Sequence, residues 1–383
     1  MKIALIAPTY LPARRANTIQ VMKMAQALVQ CDDDVEVLVP DPPTAEISKI
    51  NLEERTWPAL AQLYGLETQF PIHWIAVRPA WRSYDYGWKA IQYAREQQAN
   101  MIYTRLPQAA AISSLLGIPT ILEVHDFPYQ RFARLLFRLF LSGGGARRLV
   151  VITRALADDL RVTFGQRTRE PFMIIAPDGV DLARYLALPA PSSARKELGL
   201  TDRFTAGYTG HFYSGRGIEL ILELASRLPE VTFLLVGGDP ADVNRLRQNA
   251  MQQKLSNLSL TGYIPNSELP RYQAACEMLL MPYQAQVAAS SGGDIGRYLS
   301  PMKLFEYLAS GRVILASNLP VLQEVLNSDN AVLLPPKDSN AWVESIRNGL
   351  QFPERYTKLA GQAQRDAQQY TWTARAHRIF ENL

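Results

Sequence analysis

The sequence predicts an α/β fold of two Rossmann-like domains, each a doubly wound parallel sheet, on three observations. Short apolar runs alternate with stretches of helical periodicity, which is the pattern of βαβ units. Several of those runs stop at polar, basic or glycine-rich loops, and in doubly wound sheets ligands bind where strands end. The chain has 383 residues, which suggests two domains rather than one, and its two halves repeat the same theme.

The first half opens on Lys2-Ile-Ala-Leu-Ile-Ala7, a continuous apolar run suited to a central parallel strand. Residues 8–12 break it, and residues 19–29 have helical spacing with Asn17 or Thr18 as N-cap. Residues 35–39 follow as the next strand. No Gly-x-Gly-x-x-Gly occurs in this unit, so it does not read as a dinucleotide site. Residues 72–77 and 101–104 read as further strands, and Arg105 follows the second. It is either a basic group facing the ligand or a surface arginine. Residues 119–125 form the next strand and end in His125-Asp126. A lone histidine is more often structural, yet this one stands where a parallel strand meets its loop.

Residues 129–141 place Arg131, Arg134 and Arg138 at helical spacing among Phe132, Leu135, Leu136, Phe137, Leu139 and Phe140. Such a basic amphipathic helix suits an anionic membrane surface. It equally suits a core-packed helix with solvated arginines. Residues 149–152 are a strand and residues 153–160 a helix. The Pro/Ser-rich stretch 188–193 reads as the linker.

The second half starts with the strand Thr205-Ala-Gly-Tyr-Thr209, then Gly210-His-Phe-Tyr-Ser-Gly-Arg-Gly217 and a helix over residues 218–228. A strand, a glycine-rich loop containing Gly215 and a helix present backbone N–H groups to phosphate. Arg216 at the helix start is unfavourable without an anion, and its planar fork can hold a phosphate twice. Residues 231–236 form another strand. Residues 258–261 lead to Gly262-Tyr263-Ile264-Pro265, and a helix begins near Ser267. Residues 278–282 are a strand and residues 331–335 a late one. Residues 298–312 read as a marked helix, with Ser300 as cap, Pro301 at the first position and Gly311 as the left-handed stop. Met302, Phe305 and Ala309 share one apolar face, with Lys303 and Glu306 off it. A lysine in the first turn opposes the helix dipole unless an anion sits there. Residues 312–317 then form a buried strand, and residues 321–326 restart a helix.

This last run resembles the nucleotide-sugar site of GT-B glycosyltransferases, family 4 in particular, and the resemblance extends along nearly the whole chain. Its pattern is Glu-x7-Glu, then Ala-x-Gly and a Val-Val-Ala-Ser strand. Glu306 matches the second Glu, which implies a hydrogen bond to the donor ribose. Tyr298 stands at the first, and Asp294, in the loop 290–294, is the nearest acid upstream. Arg216 matches the basic residue that holds the diphosphate, and His211 is the nearest candidate for the second. Backbone at Tyr263 and Ile264 corresponds to the base-reading segment. His125 corresponds to the N-domain histidine facing the donor sugar, and the loop with Asn17 and Thr18 to one reaching the donor phosphate or the acceptor. The resemblance implies the GT-B fold with two domains facing a central cleft. The boundaries are 1–187 on the acceptor side and 188–365 on the donor side, with a terminal helix, 366–383, packing back on the first domain.

The implied activity is retaining, metal-independent transfer from a UDP- or GDP-sugar to a glycan or lipid-linked acceptor, with no cofactor, in envelope polysaccharide or glycolipid assembly. A nucleotide-sugar epimerase, a phosphorylase, or an inactive donor-binding subunit are the alternatives. The composition, with 48% hydrophobic and 20% charged residues, is that of a globular enzyme, and a net charge of +4 does not argue for nucleic acid. Cys31 and Cys276 match no metal or disulfide spacing. Without a signal-type N-terminus or a run of ~20 apolar residues, the expected location is cytoplasmic, with peripheral membrane contact through Arg131, Arg134 and Arg138.

Overall fold

The computed structural model describes residues 1–41, 52–78, 82–288 and 292–383. The chain forms two compact units. The first comprises residues 1–177 and 372–383, the second residues 178–371. The division between Pro177 and Asp178 lies upstream of the Pro/Ser-rich stretch expected as linker, which runs instead into the helix Pro191–Glu197.

Unit 1 is built on a seven-stranded parallel sheet in the order β3-β2-β1-β4-β5-β6-β7. The strands are β1 Lys2–Ile6, β2 Asp34–Asp41, β3 Ile72–Ala76, β4 Met101–Thr104, β5 Thr120–Val124, β6 Ala146–Val151 and β7 Met173–Ile175. Unit 2 repeats the plan with six parallel strands, β10-β9-β8-β11-β12-β13. They are β8 Thr205–Thr209, β9 Thr232–Val236, β10 Leu258–Gly262, β11 Met278–Met281, β12 Val313–Ser317 and β13 Val332–Leu334. Continuous apolar runs become these strands because a parallel sheet covered on both faces leaves no polar side. β4, β8 and β11 are buried along their whole length.

Strand order reverses between β1 and β4 in unit 1 and between β8 and β11 in unit 2. Such switch points open a crevice at the carboxyl ends of the strands. The loops after β1, β4 and β5 therefore meet in unit 1, and those after β8 and β11 in unit 2. The last helix, Trp372–Phe380, belongs to unit 1 and packs on the first helix, Ala16–Gln30.

Three local expectations are corrected. The helix Met302–Ala309 takes Pro301 as its N-cap residue with no side-chain cap bond, so Ser300 does not cap it. Pro301 has an extended φ/ψ, which displaces the start by one residue. Gly311 does hold the left-handed stop, at φ +66°. The first helix starts at Ala16 with Arg15 as N-cap residue, so Asn17 and Thr18 lie in its first turn; Thr18 Oγ1 is instead 2.6 Å from Thr9 Oγ1, both buried. Residues 322–324 form one 3₁₀ turn rather than a helix. The basic amphipathic segment does fold as a helix, Arg131–Ser142.

Candidate functional site

In unit 2 the loop after β8 is folded by its glycines. Gly210 and Gly237, at the ends of neighbouring strands, have φ of +128° and +121°. A Cβ on Gly237 would strike the Gly210 carbonyl, and one on Gly210 would lie 3.1 Å from Lys303 Nζ. Absent side chains thus let a lysine approach the loop backbone. Gly215 answers a different need. Its Cβ would strike the Gln286 carbonyl, and the carbonyls of Ser214 and Gly215 accept from Ala288 N (3.0 Å) and Gln284 N (2.8 Å).

Arg216 is held against the segment that follows β11. Its Nη1 donates to Tyr283 Oη at 2.7 Å, and its guanidinium carbon lies 5.1 Å from that ring's centroid. Lys303 is the second basic group. Its Nζ sits 3.6 Å from the Tyr208 ring centroid and 5.3 Å from that of Tyr283. The residue as a whole is half-buried, but Nζ is fully so and finds no hydrogen-bond acceptor among the described residues. Burial, with Arg216 nearby, pushes its pKa well below the ordinary lysine range, against the pull of Glu306. A guanidinium and a basic amine sharing aromatic walls in a low-dielectric place favour an anion between them, and that anion raises the amine's pKa again.

Glu306 is one turn on, 8% exposed. It accepts from Gln273 Nε2 at 3.1 Å and Asn266 Nδ2 at 3.4 Å. Neutral amides orient the carboxylate without neutralising it, leaving an acceptor for hydroxyl groups. Asn266 is itself fixed by Arg184 Nη1 at 2.7 Å. Tyr307 Oη accepts from Thr209 N at 2.9 Å, tying this helix to the end of β8. His211 stacks on Tyr213 with centroids 4.8 Å apart, and its carbonyl accepts from Tyr208 Oη. Tyr263 and Ile264 follow β10 directly, and Ile264 packs partly buried on the core of unit 2.

The structure thus draws Arg216, Lys303 and Glu306 together, with Gly210 and the backbone of His211 beside them. Asp294 is engaged in its own loop: Oδ1 accepts from Val287 N at 2.8 Å and Gly296 N at 2.9 Å. Ser290, at the start of that loop, lies outside the described residues. Tyr298 is buried at 3% exposure. Tyr208, Tyr283, Gln273 and Asn266 were not singled out by sequence reasoning. They come from a strand, a loop, a helix and a 3₁₀ turn and share no motif.

Unit 1 carries a second cluster, around Glu123 of β5. Glu123 accepts from Gln20 Nε2 at 2.7 Å and from Tyr103 Oη, and its Oε1 is in hydrogen-bond contact with His125 Nε2; Arg375 Nη2 forms an ion pair with Oε1 at 2.9 Å. Arg105 Nη1 donates to Gln20 Oε1 at 3.1 Å. Arg105 and His125 are therefore joined through Gln20 and Glu123, and Gln20 sits on the same helix as Asn17 and Thr18. His125 is driven down to about 4, by burial first and then by the charge of Arg105, in spite of Glu123. It is neutral at physiological pH. A small cavity of about 10 Å³, bordered by Gln20, Tyr103, Arg105 and Glu123, has room for one water-sized group. Glu123 stands two residues before His125, so the pleat puts both on one face; that spacing was a legible signal. Arg375 gave none.

Among the described residues no three His, Cys, Asp or Glu side chains gather as metal ligands, and no helix is long and apolar enough to cross a membrane.

Two family models match the chain, one to each unit. The glycosyl transferase 4-like domain matches residues 18–176 and glycosyl transferases group 1 matches residues 203–351. The D-inositol 3-phosphate glycosyltransferase of Rhodococcus jostii is 27% identical over 244 residues, 61% of this chain and 52% of that protein. The GDP-mannose-dependent alpha-(1-6)-phosphatidylinositol monomannoside mannosyltransferase of Mycolicibacterium smegmatis is 24% identical over 214 residues, 54% of this chain and 55% of that one. The chain thus spans about half the length of these relatives. Anabaena HepE, solved with UDP and glucose, matches over 100% of both chains with a TM-score of 0.74 at 18% identity, a likeness of fold.

Proposed function

Because the chain belongs to the group 1 glycosyl transferases of family 4 and has the GT-B fold, we propose that it is a retaining, metal-independent glycosyltransferase. It takes a sugar from a UDP- or GDP-sugar and passes it to a glycan or lipid-linked acceptor in envelope polysaccharide or glycolipid assembly. The observation that carries this reading is the buried pair Arg216 and Lys303, whose amine has no acceptor of its own among the described residues. A diphosphate supplies the missing anion. The C1–O bond of the donor breaks with its electrons going to the diphosphate, C1 bonds the acceptor oxygen, and the acceptor's proton passes to the leaving phosphate; Arg216, and Lys303 once protonated beside the anion, stabilise the charge that develops there in a dry site.

Glu306 accepts hydroxyl protons of the ribose, and the backbone at Tyr263 and Ile264 meets the base. His125 of unit 1 contacts the donor sugar. Arg105, Asn17 and Thr18 belong to the acceptor side. His211, Ser300, Pro301 and Met302 line the donor side through backbone groups. Asp294, held in its loop through Oδ1, belongs to the donor side, where Tyr298 stands in place of the first Glu. The UDP bound in HepE and the GDP-mannose of the mycobacterial relative support a nucleoside diphosphate donor without choosing the base.

A lipid-linked acceptor is favoured by the helix Arg131–Ser142. It buries Leu136, Phe137 and Phe140 but leaves Phe132 50% and Leu135 48% exposed beside Arg131 and Arg138.

The test is a thermal-shift and calorimetric screen against UDP, GDP, ADP and their sugars, with EDTA present. One nucleotide family should stabilise the protein, by about 2.7 kcal/mol at a hundredfold excess over Kd. No response to any would overturn the reading. Binding without nucleotide release in the presence of any acceptor would instead mark a donor-binding subunit.

A further inference from the structure

We infer that Arg375, on the last helix of the chain, fixes which nitrogen of His125 carries the proton, acting through Glu123. The inference rests on the proposed role of His125 for its relevance to transfer, but its geometry stands within unit 1 alone.

Arg375 is almost wholly inside the protein, with 3% of its side chain exposed against 1% for Glu123. Its Nε donates to the Pro177 carbonyl at 3.0 Å, and Nη1 donates to Tyr103 Oη at 3.3 Å and approaches Met24 Sδ at 3.1 Å. The remaining nitrogen, Nη2, pairs with Glu123. A guanidinium held on three sides has one place to put its charge. Glu123 answers with both oxygens: Oε1 faces Gln20, His125 and Arg375, and Oε2 takes the Tyr103 hydroxyl. Burial alone would raise this carboxyl, but Arg375 and His125 hold it below the usual range.

The consequence is one of proton accounting. An ionised carboxylate only accepts, so the His125 nitrogen that touches it, Nε2, must be the N–H. His125 is neutral, so Nδ1 is left as a bare lone pair. The ring can then accept a hydrogen bond or a proton at Nδ1 but cannot donate one there. Without Arg375 the buried Glu123 charge is uncompensated, and the carboxyl takes a proton from solvent instead. It then becomes a donor toward Nε2, and the imidazole proton moves to Nδ1. The last helix is in this sense a positioning element. Its contact with the first helix is also close, with Cys31 Sγ 3.5 Å from His377 Nε2.

The experiment is a multiple-bond ¹H–¹⁵N spectrum of the full chain labelled at its four histidines, recorded without nucleotide, with His125→Gln identifying the resonance. The wild type should show His125 as the Nε2–H tautomer. Arg375→Met should move it toward Nδ1–H, and Arg375→Lys, which keeps a charge, should largely restore it. In parallel, kcat should fall about 100-fold in Arg375→Met, the scale of a misplaced reacting group, while donor Kd stays within twofold. An unchanged tautomer in a folded Arg375→Met protein would overturn the inference. If that variant does not fold, Glu123→Gln serves: an amide both donates and accepts, so both tautomers should appear, and a single Nε2–H form would overturn it. Because the spectrum needs no substrate, a shifted tautomer in a protein with no transferase activity would sink the function and leave the proton placement standing.

Discussion

The Lys303 amine lies 3.6 Å from the centre of the Tyr208 ring, buried and with no hydrogen-bond acceptor among the described residues. An aromatic face is a weak substitute for water around a lysine amine, charged or neutral. The folded chain therefore carries a cost at this point, and the cost marks where a ligand is expected to act.

Lys303→Met should make the free protein more stable and the donor-bound protein weaker. Removing a buried, unpaired amine should raise stability by about 1 kcal/mol, within the range of single stabilising changes. The sign of the pH dependence follows from linkage. The folded-state pKa of Lys303 is depressed, so between it and the ordinary lysine value the unfolded chain binds more protons, and wild-type stability rises with pH there. Denaturant melts from neutral pH to pH 10 should show that rise in the wild type and its loss in the variant. A less stable Lys303→Met would sink the argument.

Arg216→Ala should separate phosphate from nucleoside. The fork that reaches Tyr283 is proposed to grip the diphosphate, and a hydrogen bond to a charged group contributes about 1.5–3 kcal/mol. Calorimetry should show the nucleoside diphosphate bound about 10- to 100-fold more weakly while the bare nucleoside is unchanged. Equal losses for both would remove Arg216 from the phosphate.

Glu306→Gln should do the reverse. The carboxylate is set by Gln273 and Asn266 and faces the ribose in the proposed complex. Nucleoside and nucleotide should both weaken, each by about tenfold. A variant with unaltered nucleotide affinity would leave Glu306 as a buried anchor of its helix.

These residues differ in how far they could be read in advance. The strand at residues 205–209 and the helix around Lys303 and Glu306 were legible because each is local: an apolar run, a turn, a spacing of three. The cap was misplaced because Ser300 and Pro301 both suit a helix start, and only the backbone of Pro301 decides between them. Asp294 was read as an acid on a free loop, whereas its Oδ1 is held by two backbone N–H groups of that loop, a fact of loop geometry. Glu123 could have been found through its spacing from His125. Its partner Arg375 was not, because an ion pair across more than two hundred residues leaves no periodicity.

His125 should make unit 1 acid-sensitive above the carboxylate range. Its folded pKa of about 4 lies below the unfolded value of about 6.5. Between them the unfolded chain holds more protons, so stability falls as pH drops from neutrality. The loss should be about 2 kcal/mol between pH 7 and pH 5, measured by urea denaturation, and His125→Gln should abolish it. Arg105, Arg375 and Glu123 act on the ring, and of these only Glu123 titrates on the acid side, below its ordinary range. A wild type with flat stability over that interval would contradict a neutral imidazole at this position.

The helix Arg131–Ser142 poses a choice that vesicles can decide. Arg134 donates to the Pro128 carbonyl and lies over Phe127, and Arg138 lies over Phe164, so both stems are laid on the protein itself. Phe132 and Leu135 are not so covered. If this face meets a membrane, sedimentation with anionic vesicles should be strong at low salt and fall by 0.5 M salt, because charge attraction is screened while apolar insertion is not. Phe132→Ser with Leu135→Ser should reduce binding at both salt levels, and Arg131→Ala with Arg138→Ala chiefly at low salt, since each basic residue near such a surface contributes about 1 kcal/mol. Equal sedimentation of the wild type and both double variants would assign the arginines to solvent and the exposed rings to ordinary surface.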